Sequence, residues 1–406
     1  MASIYDGLAG SGEREAAYEK FVWGNLKRNF SGHFMHGMLG MTGFRLINAP
    51  TFIPAYLHML SGSDMVVGLG LALQQLGIAI TSIVGTTQIE HRRYVLPLSL
   101  FLGSMMRLQI LGLVLVGWLF SGPALLAGVL FFLFTLGLFS GPQNVAFQFL
   151  LAKMIPISVR GRLQGVRNVS GGLVAAVLSY YAGKYLIGEN VWGNGYSTTF
   201  LAAFILTSLG LVALWIFVRE PEPPTLRPRM RVGDRLREFP AMLRADRPFA
   251  LFMVARTFAV FNRVSAPFYI VYIAQTTTLT GATIGTLTFA FLIASTVANI
   301  VWGFLSDKAG FRSTFIAALV LWIGATVMLM FVHGLPYYFV AFFGLGAANS
   351  GYFMSAQNMV LEFGHRDDTA MRLAMSNTAE SIVAAGGPLL GGAIAATLGY
   401  HTVFAV

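Results

Sequence analysis

The sequence predicts an all-α, polytopic membrane protein of two six-helix bundles, and three observations predict it. Only 11% of the 406 residues are charged while 56% are hydrophobic, less than half the charge of an ordinary soluble domain. The apolar residues gather in unalternating stretches of the ~20 residues that a spanning helix needs, about twice the length of a barrel strand. The two halves of the chain also repeat one another. A mean hydropathy of +0.68 leaves little chain beyond spans and connections, which excludes a large soluble catalytic domain. No cysteine is present, which removes disulfides, thiolate chemistry and cysteine metal sites. Basic loops on one membrane face explain the net charge of +10 more simply than nucleic acid does.

The chain opens with a leader, residues 1–30, in which Glu13, Glu15, Glu19, Lys20, Lys27 and Arg28 interrupt any apolar core. It is therefore no signal peptide and reads as a cytoplasmic, partly amphipathic segment with Trp23 near the interface. Spans follow at about 31–60, 64–88, 94–120, 122–152, 163–187, 196–218, 248–275, 280–305, 312–334, 335–363 and 370–397. The first six form an N-terminal bundle, 31–218. The only long polar stretch, 219–247, opens with Glu220-Pro221-Glu222-Pro223-Pro224, carries Arg227, Arg229, Arg231, Arg235 and Arg237, and reads as a basic cytoplasmic linker. The C-terminal bundle, 248–406, holds five complete spans. By the repeat it should run to roughly 430, so a truncated twelfth helix, Tyr400–Val406, is expected, with an eleven-span protein as the alternative.

The 27 Lys and Arg residues fall in the leader, the linker and loops 2–3, 4–5, 8–9 and 10–11. The exceptions are Lys184 on the opposite face and Arg45, Arg107, Arg256 and Arg263 inside spans. This asymmetry places the N-terminus and the linker in the cytoplasm. Within the halves, Arg45-Leu-Ile-Asn48-Ala-Pro50 matches Arg263-Val-Ser265-Ala-Pro267 at an offset of 217. Gln143-Asn144 with Gln148 matches Gln357-Asn358 with Glu362 at 214, and Arg162-Leu163 matches Arg372-Leu373 at 210. One nearly constant period marks parallel repeats of six helices.

After span 8, Gly303-Phe-Leu-Ser-Asp307-Lys308-Ala-Gly310-Phe-Arg312 resembles the loop signature of the major facilitator superfamily, G-x-x-x-D-x-x-G-x-R. The glycines permit a tight turn, and Asp307 and Arg312 can pair with each other or with helix ends. The resemblance implies a latch that stabilises one access state; a charged turn that enforces topology is the plainer reading. The equivalent loop 2–3, Gly85-Thr-Thr-Gln88-Ile89-Glu90-His91-Arg92-Arg93, is degenerate: Ile89 stands at the aspartate position, no second glycine follows, and Glu90 with Arg93 is the substitute. Topology, repeat, linker and Arg160-Gly161-Arg162 extend the resemblance over nearly the whole chain. Gly386-Gly387-Pro388-Leu-Leu-Gly391-Gly392 in span 11 is similar to an element that drug–proton antiporters of the family carry in span 5. Span 5 here reads Gly171-Gly172-Leu-Val-Ala-Ala without proline, so close helix packing is the reading it supports.

A charge inside a bilayer costs at least ~2.5–3.5 kcal/mol, which makes Arg45, Arg107, Arg256, Arg263 and Glu380 informative. Asn48 shares a face of span 1 with Arg45, and Arg256 shares a face of span 7 with Arg263. The resemblance implies that spans 1, 4, 7 and 10 line a central cavity, with Arg45 opposite Arg263 at mid-membrane. A guanidinium pair suits carboxylate or phosphate, and organophosphate antiporters of the superfamily use a similar pair. Alternatively each arginine pairs with a carbonyl or an acid, and Arg107 in span 3 reads as structural. Glu380 reads as a proton carrier for coupling or as the salt-bridge partner of a buried arginine; Glu362 is a second coupling candidate. The amides Gln143, Asn144, Gln148, Asn349, Gln357 and Asn358 either bond a polar substrate or join helices. A solvated or capping role is expected for His33 and His36. No metal-ligand spacing, phosphate loop, nucleophile elbow or triad is found, so neither enzyme activity nor a metal or cofactor is expected.

The expected function is secondary transport by alternating access in a plasma membrane, the bacterial inner membrane. The cargo is a small organic anion held between Arg45 and Arg263, with protons as the coupling ion. The partners are the small-molecule substrate and the lipid bilayer, nucleic acid is not one, and a monomer is expected. Two alternatives stay open: export of amphipathic or drug-like compounds through an adaptable cavity of Phe, Met and Tyr, and a non-transporting protein that uses the fold for assembly or sensing.

Overall fold

The computed structural model describes residues 2–89, 92–223, 240–363 and 369–405. They are helical, with no strand among them. The N-terminal half comprises α1 (Ala2–Gly24), α2 (Leu26–Asn48), α3 (Phe52–Ser61), α4 (Asp64–Ile89), α5 (Leu96–Leu119), α6 (Gly122–Met154), α7 (Ile157–Tyr181), prolonged by a π-helical turn over Ala182–Ile187, and α8 (Gly195–Phe217). The C-terminal half comprises α9 (Arg247–Val260), α10 (Asn262–Ser265), α11 (Phe268–Thr276), α12 (Gly281–Phe331), α13 (Leu335–Leu361), α14 (Thr369–Leu398) and α15 (Tyr400–Ala405). Among the described residues, six helices are singly long and apolar enough to cross a membrane. Phe101, Leu119, Phe131, Trp215, Phe304 and Ile323 are exposed on the molecule, a surface suited to hydrocarbon rather than water.

Local signals set the helix starts. Pro97, Pro123, Pro248 and Pro336 occupy the first turns of α5, α6, α9 and α13, where a missing N–H costs nothing. Asn194, Asp246 and Thr280 cap α8, α9 and α12 by accepting from Ser197 N, Phe249 N and Thr283 N. Spans 1 and 7, read from sequence as continuous, both break at the repeated Ala-Pro. The chain leaves α2 through Ala49-Pro50-Thr51 and leaves α10 through Ala266-Pro267, because proline removes a helix donor and clashes with the preceding turn. Spans 8 and 9 meet within α12 at Gly310, whose φ of 80° and ψ of 162° lie where only glycine sits without strain.

The start of the linker packs on the N-terminal half. The Glu220 carboxylate accepts from Val95 N and Leu96 N at 2.8 Å, at the start of α5. It also pairs with Lys153 of α6 at 2.7 Å, with both side chains buried. Arg93 pairs with Glu222 beside it, and Tyr18 of α1 donates to the Lys153 carbonyl at 2.6 Å.

The halves are fused at one end and, among the described residues, parted at the other. One continuous apolar core takes Leu46, Ile47, Phe52 and Tyr56 from the first half and Val264, Phe268, Ile270 and Leu287 from the second. Two further cores belong to one half each: Ala146, Leu150, Leu163 and Leu214 in the first, Phe249, Phe252, Phe315 and Tyr352 in the second. Both lie toward the end that carries loops 4–5 and 8–9, here the basic end. The halves meet through α4 with α14, α7 with α12 and α3 with α11. At the fused end backbones cross so closely that a Cβ on Gly68 would strike the Pro388 carbonyl and one on Gly285 would strike Tyr180 O and Gly183 Cα. Thr51 bonds Thr288 at 2.6 Å and Tyr400 donates to Asp64 at 2.5 Å. Gly161, Gly165 and Gly303, near the basic end, have open space beside them.

Candidate functional site

Between the halves lies a cavity of about 720 Å³, within the range of small-molecule sites. The broken helices line it from both halves, with Asn48, Ala49 and Pro50 from the first and Ala266 and Pro267 from the second. Discontinuous helices at the midplane are where transporter sites are usually built. The two walls differ in chemistry. The N-terminal half supplies Arg107, Arg167 and His36 with the amides of Asn48, Gln74, Gln75, Gln143, Asn144, Gln148 and Asn168. The C-terminal half supplies the rings of Tyr269, Phe291, Trp322, Phe342 and Phe353, and one amide, Asn349. Among the described residues no Asp or Glu lines the cavity.

Arg107 is anchored rather than free, donating from Nε to Thr207 O at 2.7 Å and from Nη1 to Gly103 O at 2.6 Å. Gln74 donates to Asn48 at 2.9 Å, and Gln143 donates to Ser99 at 3.2 Å. Arg45 lines an adjoining recess of about 320 Å³ with Asn48, Ser295 and Asn349. Its Nη1 reaches Thr296 of the opposite half at 3.4 Å, and Gly172 leaves room for the guanidinium.

Of the candidate substrate-binding residues singled out from sequence, the fold gathers Asn48, Gln143, Asn144, Gln148 and Asn349 around the cavity and places Arg45 beside it. Arg256 lies elsewhere, buried in the core of the C-terminal half. It donates to Glu380 at 2.5 Å, to Ser376 at 2.6 Å and to Ala356 O at 3.1 Å. Gln357 is exposed outside the cavity, Asn358 bonds the Met354 carbonyl of its own helix, and Glu362 is exposed at the end of α13. The side chain of Arg263 and all of Glu90 lie outside the described residues. Asp307 and Arg312 are exposed and make no ion pair among the described residues; Ser306 bonds Thr314 at 2.9 Å across the turn at Gly310, and Gly303 borders open space.

Sequence reasoning missed Arg167, Asn168, Gln74 and Gln75. Arg167 counts as a loop charge in the sequence, yet α7 starts at Ile157 after Pro156, so it stands nearly three turns inside the helix. A helix start at Pro156 is the signal that finds it. His33 and His36, expected at a solvated interface, are buried, with Phe147 5.6 and 5.0 Å from their rings. His36 donates from Nδ1 to Gly210 O at 3.0 Å.

A helical membrane chain whose halves enclose a solute-sized cavity, fused at one end and parted at the other, has the architecture of a secondary transporter. The sequence profile of the Major Facilitator Superfamily matches residues 33–262 and 251–406, and the chain belongs to that family, whose members are transporters rather than enzymes. Solved structures share the fold. A point mutant of the nucleoside transporter NupG matches at a TM-score of 0.71 and 10% identity, over 92% of this chain and 95% of that one. A D-xylose–proton symporter matches at 0.68 and 14%, over 90% of each chain. The human organic anion transporter MFSD10 (TETRAN) matches at 0.66 and 15%, over 93% of this chain and 96% of that one. No curated protein matches the chain at a significant level.

Proposed function

We propose that this transporter carries a small organic anion across the plasma membrane of a bacterium, coupled to protons. The observation that carries the anion reading is the charge of the central cavity: Arg107 and Arg167 line it, Arg45 lines the recess beside it, and no carboxylate among the described residues offsets them. Guanidinium groups away from bulk water attract carboxylate and phosphate and repel cations. The basic loops favour a cytoplasmic N-terminus, so the parted end faces the cytoplasm and the cavity is in its inward-open state. Coupling is read onto Glu380, whose carboxylate meets Arg256 one turn before cavity-lining Ala384. A carboxylate that a proton can release from its arginine partner suits an ion-coupled cycle.

The aromatic wall of Trp322, Phe342 and Phe353 favours a second reading, export of amphipathic compounds. Transport into proteoliposomes separates the two. We expect saturable flux of organic anions, no flux of neutral sugars or lipophilic cations, and loss of flux in Arg45→Ala and Arg263→Ala variants that stay folded in the membrane. Glu380→Gln is expected to keep anion exchange and lose accumulation against a proton gradient. Normal flux in both arginine variants removes the pair from substrate contact, and flux of lipophilic cations alone favours export of amphipathic compounds.

A further inference from the structure

Among the buried cations of the described residues, Arg167 stands apart. Lys153 lies on Glu220 at 2.7 Å, Arg372 on Asp246 at 2.6 Å and Arg256 on Glu380 at 2.5 Å, while Arg107 donates to two backbone carbonyls. Arg167 is only 8% exposed and makes no hydrogen bond or ion pair among the described residues; its Nε and Nη1 are covered and unbonded. Its guanidinium carbon lies 5.5 Å from the ring centre of Phe147, a contact that holds a cation without neutralising it. A buried donor with no acceptor is costly, and more so when it carries charge.

The surrounding chain makes room for this side chain. A Cβ at Gly37 would run into Cγ, Cδ and Nε of Arg167, so the arginine crosses α2 only because residue 37 has none. Gly37, Phe147 and Arg167 all line the central cavity. The cavity-lining amides of Asn144, Gln148 and Asn168 are exposed, and none makes a side-chain hydrogen bond among the described residues. The C-terminal half lines the same cavity with the rings of Tyr269, Phe291, Trp322, Phe342 and Phe353.

The geometry points to a subsite at Arg167 for the anionic head of an amphiphilic organic anion, with the aromatic wall of the C-terminal half taking its apolar body. This rests on the organic-anion reading above and adds Arg167 to Arg45 and Arg263 as the charge that discriminates the anionic head. The desolvated guanidinium supplies the charge-assisted bonds, and the free amides supply neutral donors around the same head group.

Binding to the full chain in lipid nanodiscs tests the assignment, with 2-naphthoate set against its neutral isostere 2-naphthamide and with decanoate as a second anion. The wild type is expected to bind 2-naphthoate at least about tenfold more tightly than the amide. Arg167→Gln is expected to erase that preference, weakening 2-naphthoate about tenfold or more and leaving 2-naphthamide unchanged, which a merely structural role would not do. Arg167→Lys restores part of the preference, and Gly37→Ala lowers it by displacing an intact arginine. A preference that survives Arg167→Gln but vanishes in Arg45→Gln overturns the assignment and leaves the anion reading standing. Wild-type protein that binds both naphthalenes equally, or neither anion saturably, overturns both. Should Arg167→Gln fail to fold, an unchanged preference in Gly37→Ala overturns the assignment.

Discussion

Asp246 serves two elements with one carboxylate. It accepts from Phe249 N at 3.0 Å, capping α9, and from Arg372 at 2.6 Å, tying α9 to α14. The Phe249 amide foremost, with Arg372 added, holds its carboxyl below the ordinary carboxylate range. The sign follows: the ionised form stabilises the fold above the unfolded value of ~3.9, and that stabilisation is lost as pH falls through the lower folded value. Thermal unfolding between about pH 6 and about pH 3 should therefore show a steeper acid decline in the wild type than in Asp246→Asn, which starts less stable; parallel declines would remove Asp246 from the acid limb. At this scale the sequence is only partly legible. Four arginines and one acid inside spans announce that Glu380 has a cationic partner to find, but not that the partner is Arg256, 124 residues away. Arg167 is hidden for the opposite reason: its neighbours Arg160 and Arg162 are loop-end charges, and no local pattern separates it from them.

The signature turn between spans 8 and 9 shows how much of an element a motif conveys. Both its glycines read alike in sequence, yet only Gly310 adopts a backbone that excludes a side chain, while Gly303 sits in a regular helix with nothing beside it. Gly310→Ala should cost about 1–3 kcal/mol of stability through strain. Gly303→Ala should leave stability unchanged or raise it slightly, since alanine is the better helix former. Melting curves of the two variants in detergent decide this, and equal losses would show that packing rather than backbone strain holds the turn. The broken helices teach a related lesson. The repeated Ala-Pro at 49–50 and 266–267 marks both breaks in sequence, but Pro142 and Pro388 stay inside continuous helices. A proline therefore marks a place where a span can break, not one where it must.

At the scale of the whole molecule, the two-bundle division is legible because parallel repeats and one-sided charge depend only on the order of residues. The access state is not, since it depends on which end of the same two bundles packs together. Closure at the fused end rests on bare backbone crossings at Gly68 and Gly285 and on the Thr51–Thr288 and Asp64–Tyr400 bonds. A side chain at one crossing should act as a wedge. Overpacking of about 1–3 kcal/mol changes the ratio of two states by roughly 5- to 150-fold, enough to open the fused end and close the parted one. The absence of native cysteine makes this measurable with single introduced thiols. Thr288→Cys, buried at the fused end, should react slowly with a polar thiol reagent, and Asn168→Cys, exposed in the cavity, should react fast. Adding Gly285→Leu should reverse that order, because its side chain would meet Tyr180 O and Gly183 Cα. Unchanged reactivity at position 288 in folded Gly285→Leu protein would mean that the glycine crossing is not what gates the second opening.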